Sequence, residues 1–155
     1  MSAALPGADA IVVAAGSSNR MGGIDKLSVE IAGRPLLAWS VDAIAAVDSV
    51  ERIVVVAAAD RCGELRSASW LNERVVDVVA GGSRRHESVA AGLAALDGLD
   101  AAGGGRAPGP SSDERIVLVH DGARPLVSTA LVGAVLAAAA ETGAAIPVLP
   151  VQETV

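Results

Sequence analysis

The chain has 155 residues, 52% of them apolar and 19% charged, which suits one domain with a real core and argues against disorder. A formal net charge of −6 offers no overall field to nucleic acid or an anionic membrane, and two Trp without Phe or Tyr leave out the stacking aromatics of a single-strand binder. The single cysteine, Cys62, excludes an internal disulfide and a CxxC metal site, and no run of about 18 apolar residues exists to span a membrane.

Without a basic stretch leading into a long apolar one at its start, the chain reads as a cytoplasmic protein, and Cys62 reads as a half-buried thiol. The first strand is expected over residues 10–14. It runs into Ala14-Ala15-Gly16-Ser17-Ser18-Asn19-Arg20-Met21-Gly22-Gly23 and then Lys26. Small residues at the carboxyl end of a first strand let backbone N–H groups approach a ligand closely. The loop is neither GxGxxG nor a P-loop. Arg20 as a fork and Lys26 as a point charge suit a triphosphate, the alternative being a glycine-rich turn with two solvated cations. A helix follows over residues 35–46, where Leu36, Leu37, Val41 and Ile44 recur at helical spacing.

Strands are expected next at residues 52–57 and 75–79. The second leads into Gly81-Gly82-Ser83-Arg84-Arg85-His86-Glu87-Ser88-Val89 and a helix over residues 88–96. Here Gly-Gly permits close approach, and the Ser88 hydroxyl with free helix N–H groups suits the edge of a nucleobase. Taken singly, Ser88 reads equally as an N-cap and His86 as a surface imidazole. Residues 101–113, a Gly/Pro/Ser stretch, read as a flexible surface loop.

A strand at residues 115–119 then delivers Val119-His120-Asp121-Gly122-Ala123-Arg124-Pro125. Asp121 at a strand's carboxyl end suits Mg²⁺ or a ribose hydroxyl, and Arg124 a second phosphate; a surface salt bridge between the two is the alternative. His120 is expected to support the strand end. A last helix over residues 128–141, with Ser128 as N-cap, precedes a strand at residues 144–149. Apart from Asp77 and the leading Arg52 and Arg115, the strand runs are apolar rather than alternating, as in a sheet covered on both faces. Their alternation with helices predicts an α/β, doubly wound, mostly parallel Rossmann-like sheet in three layers, forming one domain. All three motifs then open on one edge of that sheet.

Together, AAGSSNRMG…DK, GGSRRHESV and VHDGARP resemble, in order and spacing, the cytidylyltransferase family of the non-mevalonate isoprenoid pathway, which joins CTP to methylerythritol phosphate. The resemblance runs from about Asp9 to Val155 and implies a fold of the nucleotidyltransferase type. It implies transition-state roles at the α-phosphate for Arg20 and Lys26. Ala14, Ala15, Gly16, Ser17, Gly82, Ser83 and Ser88 match nucleotide-binding positions. Asp121 and Arg124 match positions near ribose, metal and methylerythritol phosphate. Residues 150–154 resemble the start of an arm reaching into a neighbouring subunit of a homodimer, where Thr154 would contact that subunit's substrate. Mg²⁺ is the implied cofactor; CTP and a phosphorylated polyol are the implied partners, with no nucleic acid or membrane.

There are departures. The family usually has Pro where Val13 and Asp25 stand, and often Asp at Ser83. The family also continues past Val155, so the domain is expected to be incomplete at its C-terminus. Arg20 to Lys26 resembles, too, the loop of molybdenum-cofactor guanylyltransferases, and a nucleotide-binding fragment without turnover is the reading from another class.

Overall fold

The computed structural model describes residues 7–16, 26–103 and 115–150. Four parallel strands form its sheet in the order β5-β4-β1-β6: β1 (Ala8–Ala14), β4 (Val50–Ala57), β5 (Val75–Ala80) and β6 (Ile116–Asp121). These are the expected strands, each a residue or two longer. β2 (Glu30–Ile31) and β3 (Arg34–Pro35) make a small antiparallel hairpin. Ala32 (φ 51°) and Gly33 (φ 74°) turn it with the two positive φ angles that a tight hairpin demands.

Helices cover both faces. α1 (Leu36–Ala45) starts directly after Pro35, whose fixed φ prepares a helical turn, and buries Leu37, Val41 and Ile44. It packs with the short α2 (Cys62–Arg66) and α4 (Thr129–Thr142) on one face, around Val12, Ile53, Val55 and Leu136. On the other face, α3 (Arg85–Ala101) covers Ile11, Val54 and Val56 through Leu96. The result is the expected three-layer, doubly wound α/β sheet. Ser128 caps α4 as expected, its Oγ accepting from Leu131 N at 3.2 Å, and Gly143 ends the helix at φ 85°.

Several expectations need correcting. α3 begins three residues before Ser88, so Ser88 lies inside the helix and caps nothing. The Glu87 carboxylate does that work, accepting from Arg84 N at 3.0 Å and from the Ser83 hydroxyl at 3.1 Å. Cys62 is buried, not half-buried, its thiol pointing at the Ala58 carbonyl. Ala101 still belongs to α3, while residues 104–113 of the expected loop lie outside the described residues. Residues 144–149 form no strand, because a strand needs a ladder partner and they find none among the described residues. Ile146, Val148 and Leu149 are 80%, 77% and 89% exposed. Residues 143–147 and β6 line a groove of about 850 Å³ without pairing across it.

At the amino end of the sheet, away from the loops, lies a buried ion cluster. Arg52 grips Asp9 with Nε at 3.0 Å and Nη2 at 2.7 Å, and reaches Asp100 at 2.8 Å. Arg115 adds a second guanidinium to Asp9 and reaches Glu51 at 3.2 Å. The Asp9 carboxylate, foremost, holds the Arg52 guanidinium more firmly protonated than usual despite its burial.

Candidate active site

Strand order fixes where a ligand can sit. From β1 the chain moves outward to β4 and β5, then returns to place β6 on the other side of β1. Between β1 and β6 the connections diverge, and beyond the strands' carboxyl ends at such a switch point a crevice opens. A pocket of about 750 Å³ lies there, lined by residues 13–16 at the end of β1 and just beyond it, by residues 82–85 and Ser88 at the entry to α3, and by Asp121, Ala123 and Arg124 at the end of β6 and in the loop that follows. Eight sequence-selected residues therefore meet at one cavity: Ala14, Ala15, Gly16, Gly82, Ser83, Ser88, Asp121 and Arg124. Lys26 opens a short 3₁₀ turn (Lys26–Ser28) whose Leu27 also lines the pocket. Ser17, Arg20 and Thr154 lie outside the described residues.

Close backbone approach builds the pocket. A Cβ on Gly81 would stand 2.5 Å from the Ala15 side chain and 2.6 Å from Ser88 Oγ, so only glycine lets β5's exit pass beside β1's. Ser88 is 2% exposed, with its hydroxyl 3.4 Å from the Arg84 carbonyl. That places a hydroxyl in the pocket wall beside the start of a helix, whose first N–H groups lack intrahelical acceptors.

The loop after β6 is pinned from several sides. Gly122 N donates to Val13 O at 2.8 Å, and the buried Ser40 hydroxyl of α1 donates to Gly122 O at 2.7 Å. His120 Nε2 donates to the Arg124 carbonyl at 3.0 Å, the supporting role expected of it. Burial holds its imidazole below the usual histidine pKa, so the ring is neutral at pH 7. Both Asp121 oxygens are engaged by arginine. Arg85 meets Oδ1 through Nε at 3.2 Å and Nη2 at 2.8 Å, and Arg124 Nε meets Oδ2 at 3.1 Å. The salt bridge weighed as an alternative thus forms, inside the pocket.

A divalent cation prefers open carboxylate oxygens. Asp121 leaves neither oxygen free, and among the described residues no group of three or more His, Cys, Asp or Glu could hold a metal ion. Asp121 as a metal anchor does not fit this arrangement, since two guanidinium groups already satisfy its charge. Sequence reasoning missed Arg85 and Ser40. Arg85 lies in a selected motif, but which of the adjacent Arg84 and Arg85 turns toward Asp121 depends on where the helix begins. Ser40 gives no signal beyond its helical position.

The fold is that of a nucleotidyltransferase-type α/β domain, with the candidate site at the sheet's switch point. A family model described as 2-C-methyl-D-erythritol 4-phosphate cytidylyltransferase matches residues 8–155, and the chain belongs to that family. The enzyme of that name from Desulforamulus reducens is 35% identical over 150 residues, 94% of this chain and 58% of its own length. The bifunctional enzyme IspD/IspF of Rhodobacter capsulatus is 43% identical over 144 residues, 92% of this chain and 33% of that protein. The crystal structure of 4-diphosphocytidyl-2C-methyl-D-erythritol synthase from Anaerococcus prevotii superposes with a TM-score of 0.59 at 25% identity, over 86% of this chain and 51% of that one. The chain therefore spans little more than half the length of the single-function relatives it matches. No helix among the described residues is long and apolar enough to cross a membrane.

Proposed function

We propose that this domain transfers CMP from CTP to 2-C-methyl-D-erythritol 4-phosphate, giving 4-diphosphocytidyl-2-C-methyl-D-erythritol and pyrophosphate. The observation that carries the reading is the meeting at one pocket of about 750 Å³ of three separate segments, which bring Ala15 and Gly16, then Gly82, Ser83 and Ser88, then Asp121 and Arg124, in a chain of this family. A phosphate oxygen of the alcohol attacks the α-phosphorus in line. The bond to the β-phosphate's bridging oxygen breaks, and pyrophosphate leaves with the electron pair. Such chemistry needs positioning and charge neutralisation more than covalent help.

In this reading the nucleotide enters as its magnesium complex, with Ala15, Gly16 and Ser17 lying along its phosphates. Ala14, Gly82 and Ser88 read the cytosine edge with Ser83 as a further nucleotide contact, Arg20 and Lys26 oppose charge gathering at the α-phosphate, and Arg124 meets the acceptor's phosphate beside Asp121. Thr154 touches the substrate of a second subunit in a homodimer, and the reaction runs in the cytoplasm. Family membership favours CTP over the GTP of the molybdenum-cofactor enzymes.

The test is pyrophosphate release from Mg–CTP by the purified chain, with and without methylerythritol phosphate. Release that requires the alcohol is expected; release that ignores it, or equal competition by GTP, overturns the reading. Lys26→Ala is expected to cut turnover about a hundredfold, the effect of removing one preorganised donor worth about 3 kcal/mol.

A further inference from the structure

We propose that Arg85 is a positioning residue of this site, and that Asp121 anchors a pair of arginines instead of binding a divalent cation. What the pair faces rests on the nucleotidyl-transfer reading; the ion-pair geometry does not. β5 and β6 are the two outer strands of the sheet, with β4 and β1 between them. The loops that follow them belong to opposite edges, and something must hold them at one spacing across the pocket. Arg85, the first residue of α3, spans that distance to Asp121, the last residue of β6.

The contact uses two N–H groups on a single oxygen, at 3.2 and 2.8 Å, and leaves the other oxygen to Arg124 at 3.1 Å. One carboxylate thus fixes two guanidinium forks, one from each loop. Arg85 is 59% exposed and Arg124 75%, so their remaining donors face the pocket and solvent, where an anion can reach them. A planar fork with donors to spare suits phosphate oxygens. A free dication approaching Asp121 meets two positive charges already at ion-pair distance, and must displace one of them. The arrangement therefore selects an anion, or a cation that arrives wrapped in phosphate, over a bare metal ion.

The experiment titrates the 155-residue chain with Mn²⁺ alone, followed by electron paramagnetic resonance, and separately with Mg–CTP by calorimetry. Wild type and Asp121→Asn are expected to bind free Mn²⁺ equally weakly. Arg85→Ala is expected to bind it severalfold more tightly, because its carboxylate is partly vacated, whereas Arg85→Lys keeps a charge there and keeps the ion out. Arg85→Ala should also lose about tenfold in Mg–CTP affinity, the size of one charged hydrogen bond. Mn²⁺ binding by wild type that Asp121→Asn abolishes and Arg85→Ala leaves unchanged would overturn the proposal and restore Asp121 as a metal ligand. Failure of wild type to bind Mg–CTP would instead refute the nucleotide reading of the pocket, while the Mn²⁺ series would still decide the role of Asp121. Arg85 is exposed and lies at a helix end, so its variants should fold.

Discussion

β4 and β6 are the two neighbours of β1, built from similar residues, yet they differ sharply in burial. Val50, Ile53, Val54, Val55 and Val56 of β4 are 0% exposed, whereas all six residues of β6 are only half-buried. The difference is one of company. β4 is paired on both edges and covered on both faces; among the described residues β6 is paired with β1 alone, and it borders the groove it shares with α4 and residues 143–147. Consecutive residues 116–120 all line that groove, as they must if it follows a strand's edge, since a face would take every second residue. At its end, buried Arg115 finds no acceptor for Nε and Nη1 among the described residues. A run of Val and Ile shows that a strand is made for burial, but not which neighbours provide it.

The largest effect should come from the base that joins the two flanks. Asp9 holds Arg52 on the β4 side and Arg115 on the β6 side. Asp9→Asn leaves two buried guanidinium groups short of a counter-charge and should cost about 3–5 kcal/mol in urea unfolding. A loss below about 1 kcal/mol would mean that water reaches the cluster and that the flanks hold together by apolar packing. Next, Ile53→Ala in β4 should cost about 2–5 kcal/mol, while Ile146→Ala beside the groove should stay within about 0.5 kcal/mol. Comparable losses at both positions would show that residues 143–147 are packed in solution and that the two flanks are less unlike than they look. Smaller again, Ser128→Ala removes the cap of α4 on the open flank and should lower stability by about 1 kcal/mol.

Much of this was legible in the sequence, for identifiable reasons. Strands β1, β4, β5 and β6 announce themselves as Val- and Ile-rich runs, and Ser128 and Gly143 bracket α4 with the residues that helix ends require. Glycines 81 and 82 marked a close approach, and the pocket lies beside them. What escaped depends on contacts far apart in the chain. Residues 144–149 have the composition of a strand but no ladder to join among the described residues. Arg85 takes its role from a carboxylate 36 residues away. Ser40 reaches Gly122 across 82 residues, and nothing near it in sequence betrays this. Spacing could nominate Asp121; it could not reveal that both its oxygens are already taken.

The smallest effect tests how firmly the open flank holds its half of the site. His120 ends β6, and its Nε2–H fixes the Arg124 carbonyl while the ring also faces the Asp121 carboxylate and the Arg124 charge. Burial, the largest influence, lowers its pKa below the ordinary 6.5. The unfolded chain therefore takes up a proton as pH falls through 6.5 that the folded chain still refuses. Stability from this residue is fully present above that value and is lost as pH drops toward the lowered folded pKa. Glu87, whose pKa is lowered mainly by the Arg84 N–H, loses its contribution in a more acidic window, below 4.5. His120→Gln keeps an amide donor for Arg124 but does not titrate. Urea midpoints at about pH 7.5 and about pH 5.5 should thus fall further apart in wild type than in the variant. Equal falls would mean that the ring titrates as if exposed, and that the loop carrying Asp121 and Arg124 is held by Ser40 and the β1 backbone alone.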